Sequence, residues 1–273
     1  MKLNMFSDKT KKKESKEADP TDKIDLAALP ESKKKAGWVS PNYSQSKSVR
    51  LDPNIISKNR CVAMFPNSPE VEYYNVLRTR ILRLTQEQGG RAIMITSALP
   101  GEGKTTTAIN LALTFAKEYE HTAMLVDCDL RKQSIHETMG YHSDVGLINH
   151  LLDGTPVYDL VVWPGVEKLT VISGGKTIHE SSEVIASPRM RELATEMKGR
   201  YPERYVFFDV PPLLAGADAL AFAPLVDWII LVVQAGKTPM SEVNKALQML
   251  PREKVLGLIL NRQTSQVNSY AYQ

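Results

Sequence analysis

One eight-residue segment constrains the fold of this chain more than any other feature of its sequence. Residues 98–105 read ALPGEGKT, which is the A/G-x4-G-K-S/T pattern of a phosphate-binding loop. The apolar run RAIMITS precedes the segment and the run TTTAINLALTFA overlaps its end, so the loop joins a predicted strand to a predicted helix. This context favours a nucleotide site over the alternative, a glycine-rich turn before an ordinary helix.

Each part of this segment suits the binding of phosphate. Gly101 and Gly103 allow the backbone to turn inward, so that successive N–H groups point at a β-phosphate beside the positive end of the following helix. Lys104 is expected to reach the β- and γ-phosphates, and the Thr105 hydroxyl to ligate Mg²⁺. The predicted nucleotide-binding residues of the segment are Pro100, Gly101, Glu102, Gly103, Lys104, Thr105 and Thr106.

Acidic residues end two later apolar runs. LVDCDLR places Asp127 and Asp129 after one predicted strand, and FFDVPP places Asp209 after another. The carboxyl ends of parallel strands open at the edge of the sheet that carries the phosphate loop. Carboxylates at that edge can hold the waters of Mg²⁺ or accept a proton from an attacking hydroxyl. One such residue alone is more simply a turn or helix cap, whereas three together favour a functional site.

The body of the chain alternates predicted strands and helices. Strands that are apolar throughout and separated by helices are typical of a parallel sheet covered on both faces. We therefore predict one α/β domain over residues 59–264, a doubly wound, mainly parallel sheet of the P-loop NTPase type. The predicted strands are 92–96, 123–127, 169–173, 205–209, 228–233 and 255–260, and the predicted helices are 70–84, 105–118, 146–153, 188–200 and 240–250.

The beginning of the chain differs in charge from the rest. Residues 1–50 contain 12 Lys and Arg against 7 Asp and Glu, whereas the remainder contains 22 against 24. Because the body has no excess of positive charge, we expect no nucleic-acid partner. Residues 1–58 lack sustained apolar periodicity, which predicts a basic arm that is disordered or only loosely docked on the body. Its lysines either solubilise the chain or attach it peripherally to an anionic membrane surface.

Two other classes of protein are disfavoured by the sequence. The only cysteines, Cys61 and Cys128, are expected to be reduced thiols, and they are too few to hold an iron–sulfur cluster without symmetry. Residues 211–233 are mostly apolar but include Asp218, Asp227 and three prolines. A charge at mid-bilayer costs about 3 kcal/mol. We therefore predict a loop, a short helix and a buried strand there, and no membrane span.

In this order, PGEGKTT, LVDCDLRKQS and FFDVPPLL resemble the Walker A, A′ and B motifs of bacterial tyrosine kinases. These are autokinases of capsule and exopolysaccharide assembly, and the resemblance extends over residues 70–262. It implies an MgATP-dependent protein-tyrosine autokinase that regulates polysaccharide polymerisation or export. Lys104 and Thr105 would bind MgATP. Asp129 and Asp209 would hold the metal through its waters, and Asp127 would accept the tyrosine proton.

The resemblance also implies partners and further site residues. Arg131 would support the Walker A′ loop, and Asn261 would contact adenine. The protein would be cytoplasmic, at the inner face of the cell membrane, where the cytoplasmic tail of a membrane polysaccharide co-polymerase completes the site. It would also form homo-oligomers. Related positioning ATPases of the MinD and ParA kind carry a lysine where this chain has Leu99, so their dimer mechanism is disfavoured.

Two features depart from the family pattern. The tyrosine-rich tail that neighbouring subunits phosphorylate is reduced to Tyr270 and Tyr272 within residues 265–273, either a reduced acceptor cluster or a polar end with aromatic residues. The oligomerisation motif E-x2-R-x2-R reads Glu72, Asn75 and Arg78, so one bidentate ion-pair partner is lost. The short tail leaves two alternatives open: a non-kinase ATPase switch, or a nucleotide-binding scaffold.

Overall fold

The computed structural model describes residues 46–65 and 67–263, and these contain an eight-stranded sheet. Its strand order is β1-β4-β5-β3-β6-β2-β7-β8. The strands are β1 Lys47–Ser48, β2 Ala92–Ser97, β3 Thr122–Asp127, β4 Val161–Trp163, β5 Leu169–Ile172, β6 Arg204–Asp209, β7 Trp228–Gln234 and β8 Val255–Asn261. The α-helices are α1 Pro53–Lys58, α2 Val71–Gln88, α3 Lys104–Phe115, α4 Ile135–Met139, α5 Leu147–Asp153, α6 Val157–Leu160, α7 Ser181–Ile185, α8 Pro188–Gly199, α9 Asp218–Phe222 and α10 Met240–Gln248.

The strands of this sheet run in nearly one direction. Every neighbouring pair is parallel except β4 and β5, which are antiparallel. The predicted α/β class and mainly parallel sheet are therefore confirmed. The sequence did not predict β1 or β4, because strands of two and three residues are too short to show a hydrophobic pattern.

Helices cover both faces of the sheet, which explains why its central strands are apolar throughout. All residues of β2 and β3 are buried. Val126 and Phe208 pack on the face that carries α5, α8, α9 and α10, while Leu125 and Phe207 pack on the face that carries α2, α3 and α4. Successive residues of one strand thus enter two different cores, as expected for a doubly wound sheet.

The folded region begins earlier than the sequence predicts. The prediction of a disordered or loosely docked arm is wrong for residues 46–58, because β1 pairs with β4 and α1 packs on the body through the buried Ile56. Asp52 caps α1, its Oδ1 accepting a hydrogen bond from the Asn54 N–H at 2.8 Å. A six-residue helix with one buried side chain gives no periodic signal. Residues 1–45 of the predicted arm lie outside the described residues.

The apolar stretch 211–233 contains short elements and one strand. It forms a 3₁₀ turn at Leu213–Ala215, then α9, a second 3₁₀ turn at Ala223–Leu225, and most of β7. None of the helices in the described part of the chain combines the length and the apolar character needed to cross a lipid bilayer.

Candidate functional site

The predicted phosphate loop lies between the end of β2 and the start of α3. Gly101 and Gly103 have φ angles of 83° and 94°, in the left-handed region that favours glycine. A Cβ atom at Gly103 would lie 2.2 Å from the side-chain nitrogen of Asn261 and would displace that amide. Pro100 and Gly101 are exposed at the tip of the loop. The loop therefore has the backbone shape that its sequence predicts.

Glu102 ties this loop to the body of the protein. Its carboxylate is buried, and Oε2 accepts a hydrogen bond from the Leu99 N–H at 2.6 Å. The other oxygen, Oε1, accepts from the Gln234 N–H at 3.2 Å and from the Thr238 hydroxyl. The side chain of Glu102 thus connects the loop with the turn after β7, which leaves only its backbone to serve a bound phosphate. The motif pattern, in which this position is variable, contained no signal for such a contact.

Lys104 lies between two acidic side chains. Its Nζ is 2.8 Å from Asp129 Oδ2 and 3.2 Å from Asp209 Oδ1. Burial of the ammonium opposes its charge, but the neighbouring Asp209 and Asp129 outweigh burial and raise the pKa of Lys104. The lysine is therefore a fixed positive charge at the mouth of the loop.

Two hydroxyl groups lie beside this lysine. Thr105 Oγ1 is 2.5 Å from Asp209 Oδ2 and 3.2 Å from Ser134 Oγ. The sequence predicted Thr105 as a site residue but not Ser134, the last residue of the segment LVDCDLRKQS, which precedes α4. Thr106 follows in the first turn of α3, where its carbonyl accepts a hydrogen bond from the Asn110 side chain at 2.8 Å. The structure thus brings together a threonine, a serine and a carboxylate at the start of α3.

Like Asp209, Asp127 is completely buried. Its Oδ2 accepts hydrogen bonds from the N–H groups of Ser134 and Ile135, both at 3.0 Å, and its Oδ1 accepts from the Asp129 N–H at 3.2 Å. In the sheet register Asp127 is paired with Asp209 on the neighbouring strand. Burial and the charge of Asp209 raise the pKa of Asp127 to about 7. This carboxyl group can therefore exchange a proton near neutral pH.

Burial also raises the pKa of Asp209, although Lys104 and the Thr105 hydroxyl act in the opposite direction. Three carboxyl groups thus share a site with a single lysine, which favours the binding of a cation. Their oxygens and the Thr105 hydroxyl are the kind of ligand that Mg²⁺ prefers. In residues 46–65 and 67–263, no group of three or more His, Cys, Asp or Glu side chains is arranged to hold a metal. Mg²⁺ retains waters and uses one or two carboxylates with substrate phosphates, so Asp129 and Asp209 together with a bound nucleotide would suit it.

Arg131 and Asn261 both have well-defined partners. Arg131 Nε donates a hydrogen bond to Ser181 Oγ at 2.7 Å and is 3.1 Å from Asp218 Oδ2. Asn261 Nδ2 donates to the Glu102 carbonyl at 2.8 Å, so the end of β8 contacts the phosphate loop. The adenine contact of Asn261 stays a prediction.

The residues of the oligomerisation motif lie on α2. The Asn75 amide donates a hydrogen bond to the Glu72 carboxylate at 3.1 Å, and Arg78 Nη1 donates to the Thr114 carbonyl at 2.9 Å. Arg78 is thus directed at α3 of its own chain. Tyr270 and Tyr272, the predicted phosphoacceptors, lie outside the described residues.

Comparisons with known proteins agree with this geometry. Residues 89–271 match a family model described as ParA: NUBPL iron-transfer P-loop NTPase. The chain is 34% identical over 231 residues to tyrosine-protein kinase YwqD of Bacillus subtilis strain 168, covering 84% of this chain and 94% of that protein. It is 33% identical over 215 residues to the succinoglycan biosynthesis transport protein ExoP of Rhizobium meliloti strain 1021, covering 75% of this chain and 26% of ExoP.

A solved structure gives the same result. The crystal structure of the chimerical protein CapA2B2 superposes with a TM-score of 0.70 at 27% identity, covering 83% of this chain and 96% of that one. The predicted family is therefore confirmed. This chain belongs to the ParA-type P-loop NTPases and, within them, to the bacterial tyrosine-protein kinases of the capsule and exopolysaccharide type.

Proposed function

We propose that this protein is an MgATP-dependent protein-tyrosine autokinase that regulates the polymerisation or export of a polysaccharide. One observation carries the proposal: the Lys104 ammonium lies within 3.2 Å of both Asp129 and Asp209 at the end of the phosphate loop. The Lys104 ammonium can bind phosphates, and the carboxylates of Asp129 and Asp209 can bind a metal ion. The similarity to YwqD, a tyrosine-protein kinase, supports the kinase activity, and the similarity to ExoP, a succinoglycan biosynthesis transport protein, supports the role in polysaccharide production.

Binding of the nucleotide would rearrange the contacts of Lys104. The loop N–H groups from Gly101 to Thr105 hold the β-phosphate, and Lys104 moves from its two carboxylates to the β- and γ-phosphates. Thr105, Asp129 and Asp209 would hold Mg²⁺, the two carboxylates through its waters. The ion supplies neutralisation of the phosphate charge. Positioning and charge then account for most of the catalysis, because phosphoryl transfer requires little covalent chemistry from the protein.

Asp127 would accept the proton of the attacking tyrosine. The phenol oxygen forms a bond to the γ-phosphorus, the bond between that phosphorus and the β–γ bridging oxygen breaks, and ADP leaves. Asp127 Oδ1 is the better proton acceptor of the two carboxylate oxygens, because it accepts one backbone hydrogen bond whereas Oδ2 accepts two. A pKa of about 7 suits a base that works near neutral pH.

The direct test is incubation with γ-labelled ATP and detection of phosphotyrosine. We expect label on Tyr270 and Tyr272, and none on a Lys104→Ala variant. Lys245→Ala, which removes an exposed lysine of α10, is the matched control and should be labelled like the wild type. Equal labelling of a Tyr270→Phe/Tyr272→Phe double variant would show that the main acceptors lie elsewhere. Phosphate release without phosphotyrosine would contradict the kinase function and indicate an ATPase switch.

A mixing experiment tests whether transfer occurs between copies in a homo-oligomer. The Lys104→Ala chain retains both tail tyrosines but lacks the phosphate-binding lysine, whereas the Tyr270→Phe/Tyr272→Phe chain retains the site but lacks the acceptors. If one copy phosphorylates another, the mixture should contain labelled Lys104→Ala chains. Absence of label in the mixture, with labelled wild type alongside, would contradict transfer between copies.

We also propose a membrane partner, a polysaccharide co-polymerase that recruits this chain to the cytoplasmic face of the membrane. The support comes from ExoP, a transport protein in which the region similar to this chain is joined to a much longer remainder. Addition of the partner's cytoplasmic tail should raise the rate of autophosphorylation. Residues 1–58 would assist by peripheral attachment, and an unchanged rate with the tail present would contradict activation by the partner.

A further inference from the structure

The β7–α10 turn, residues 234–239, is connected to the phosphate loop through one buried carboxylate. Glu102 is 2% exposed, and its Oε1 accepts hydrogen bonds from the Thr238 hydroxyl and, at 3.2 Å, from the Gln234 N–H. The Gln234 N–H also lies 3.3 Å from Thr238 Oγ1. The Thr238 hydroxyl therefore accepts one hydrogen bond inside the turn and donates its proton to Glu102.

The last strand of the sheet completes this set of contacts. The Ala235 N–H donates to the Asn261 carbonyl at 2.8 Å, and Asn261 Nδ2 donates to the Glu102 carbonyl at 2.8 Å. Asn261 ends β8, which is paired with β7 up to Gln234. Residue 102 is thus fixed at its side chain by the end of β7 and at its carbonyl by the end of β8.

Glu102 lies between the two glycines that give the loop its conformational freedom. Gly101 and Gly103 both have positive φ angles, and glycine loses more freedom on ordering than any other residue. In the part of the chain that the structure describes, the N–H groups of residues 101–103 donate to no other protein atom. They converge on one phosphate only while the glycines keep these angles. A loop that is already ordered binds its ligand more tightly than one that the ligand must order.

We infer that the β7–α10 turn sets the affinity of this protein for nucleotides, with Thr238 as a positioning residue that acts through Glu102. The Thr238 hydroxyl fixes the buried carboxylate, and the carboxylate keeps the phosphate loop in the shape that binds. Thr238 belongs to none of the three motifs and acts without contacting a phosphate. The inference rests on the proposed function in one respect, because it requires the β-phosphate to lie in the loop.

The first test compares affinities for MgADP and for the Mg²⁺ complex of a non-hydrolysable ATP analogue, both measured by calorimetry. Thr238→Val replaces the hydroxyl with a methyl group and should weaken binding of both ligands about tenfold, the usual size of one hydrogen bond to a charged group. The two losses should be alike, since both ligands carry the β-phosphate. The stoichiometry of the titration reports the fraction of folded chains, so misfolding is not mistaken for lost affinity.

Two further variants are the controls for this measurement. Thr238→Ser retains the hydroxyl and should restore most of the affinity. Thr195→Val removes a hydroxyl that bonds to the Arg191 carbonyl within α8, and its affinities should stay within about twofold of the wild type. An unchanged affinity of Thr238→Val, or no recovery with Thr238→Ser, would overturn the inference.

A double-variant cycle tests whether Thr238 acts through Glu102. Glu102→Ala removes the carboxylate, so adding Thr238→Val to it should cause no further loss of affinity. If Thr238→Val weakened MgADP binding as much in the Glu102→Ala chain as in the wild type, the hydroxyl would act by another route and the inference would be wrong.

Hydrogen exchange gives a measurement that needs no change at Glu102. Coupling between two sites is reciprocal, so MgADP should slow amide exchange in the β7–α10 turn of the wild type and slow it less in Thr238→Val. Residues 252–254, at the other end of β8, are the control segment and should be unaffected by MgADP. Equal slowing of the turn in both proteins would overturn the inference.

Failure of the inference and failure of the proposed function give different results. If the wild type binds MgADP but forms no phosphotyrosine, the kinase function is contradicted and the role of Thr238 stands on the affinities. If the wild type forms phosphotyrosine and Thr238→Val binds nucleotides as tightly, only the inference is wrong. A wild type that binds neither nucleotide would contradict both.

Discussion

Asp127 and Asp209 face each other on neighbouring strands, and both carboxyl groups are completely buried. Their mutual repulsion is partly offset by backbone N–H groups at Asp127 and by Lys104 at Asp209. In the absence of a nucleotide, this pair is a source of instability that a bound cation would relieve.

The stability of the nucleotide-free protein should therefore depend on the protonation of Asp127. Its pKa is about 7 in the folded chain against an ordinary value of 3.8, so the folded state binds more protons between pH 4 and 7. The contribution of Asp127 to the free energy of unfolding should fall as the pH rises through that range, by at most about 1.4 kcal/mol per pH unit. When unfolding by urea is measured in EDTA, the free energy of unfolding of Asp127→Asn should fall less steeply with rising pH than that of the wild type.

The control for this experiment is Asp159→Asn, at an exposed carboxylate in α6, which should leave the slope of stability against pH unchanged. The absolute stability of Asp127→Asn is less informative, since an amide cannot accept all three backbone hydrogen bonds. Equal slopes for Asp127→Asn and the wild type would show that the folded chain holds no extra proton at this residue.

Ser134 is a candidate participant in metal binding because its hydroxyl lies 3.2 Å from Thr105 Oγ1. Ser134→Ala should raise the Mg²⁺ concentration needed for half-maximal ATP binding about threefold to tenfold, the usual contribution of one hydrogen bond. A titration with Mg²⁺ at a fixed ATP concentration measures this Mg²⁺ requirement. Ser143→Ala, whose hydroxyl bonds only to the Val145 carbonyl, is the control. An unchanged Mg²⁺ requirement would exclude Ser134 from the metal site.

The meeting of the phosphate loop and the acidic residues was predictable from the sequence, because the positions of these residues follow from the path of the backbone. Strands that run in parallel bring their ends to one edge, so Lys104, Asp127, Asp129 and Asp209 meet as predicted. The direction of a side chain is not encoded in the same way. Glu102 turns into the protein, although nothing in the motif indicates it.

Among the elements of the fold, α1 was not predicted, because the polar and basic composition of residues 1–58 gave no sign of a helix. Ile56→Ala should destabilise the protein by about 2–5 kcal/mol, as for other large-to-small changes at buried sites, since Ile56 is 3% exposed. Ile55→Ala, at the 36% exposed neighbour in the same helix, should cost less than about 1 kcal/mol. Denaturation with urea measures both. Equal costs would mean that α1 does not pack on the body as described.

The longer elements were predictable because each carries many periodic apolar residues. Helix α8 was expected over 188–200 and extends over Pro188–Gly199, starting at a serine whose hydroxyl accepts the Met190 N–H. The antiparallel β4 was not predictable, since its three residues acquire strand character only by pairing with β1 and β5. Short edge elements depend on tertiary partners that a local pattern does not contain.

For the whole molecule, the strand order places the phosphate loop at the end of an interior strand, the third from the β8 border of the sheet. Strand β2 lies between β6 and β7, so the loop that leaves it contacts the acidic end of β6 on one side and the turn after β7 on the other. The sequence predicts six of the eight strands but not the strand order, because the order depends on crossovers between distant segments.

Among residues 46–65 and 67–263, β8 pairs with β7 alone and forms one border of the sheet. On β8, Leu258 and Leu260 are 50% and 59% exposed, and an exposed apolar edge promotes association through strand pairing. Leu258→Lys should reduce self-association of the isolated protein, measured by sedimentation velocity, and leave nucleotide affinity unchanged. Leu152→Lys is the control, since this exposed leucine lies on α5 away from any sheet edge. If Leu258→Lys and Leu152→Lys reduced self-association equally, the cause would be the general hydrophobicity of the surface and not the edge of the sheet.

The two borders of the sheet are unequal, and this limits how copies can join. At the far border, β1 has only two residues and offers little backbone for pairing. A head-to-tail chain of molecules would need both borders, whereas contact of β8 with β8 needs only one and closes on itself around a two-fold axis. Sheet-to-sheet association of this protein should therefore stop at pairs and not grow into fibres.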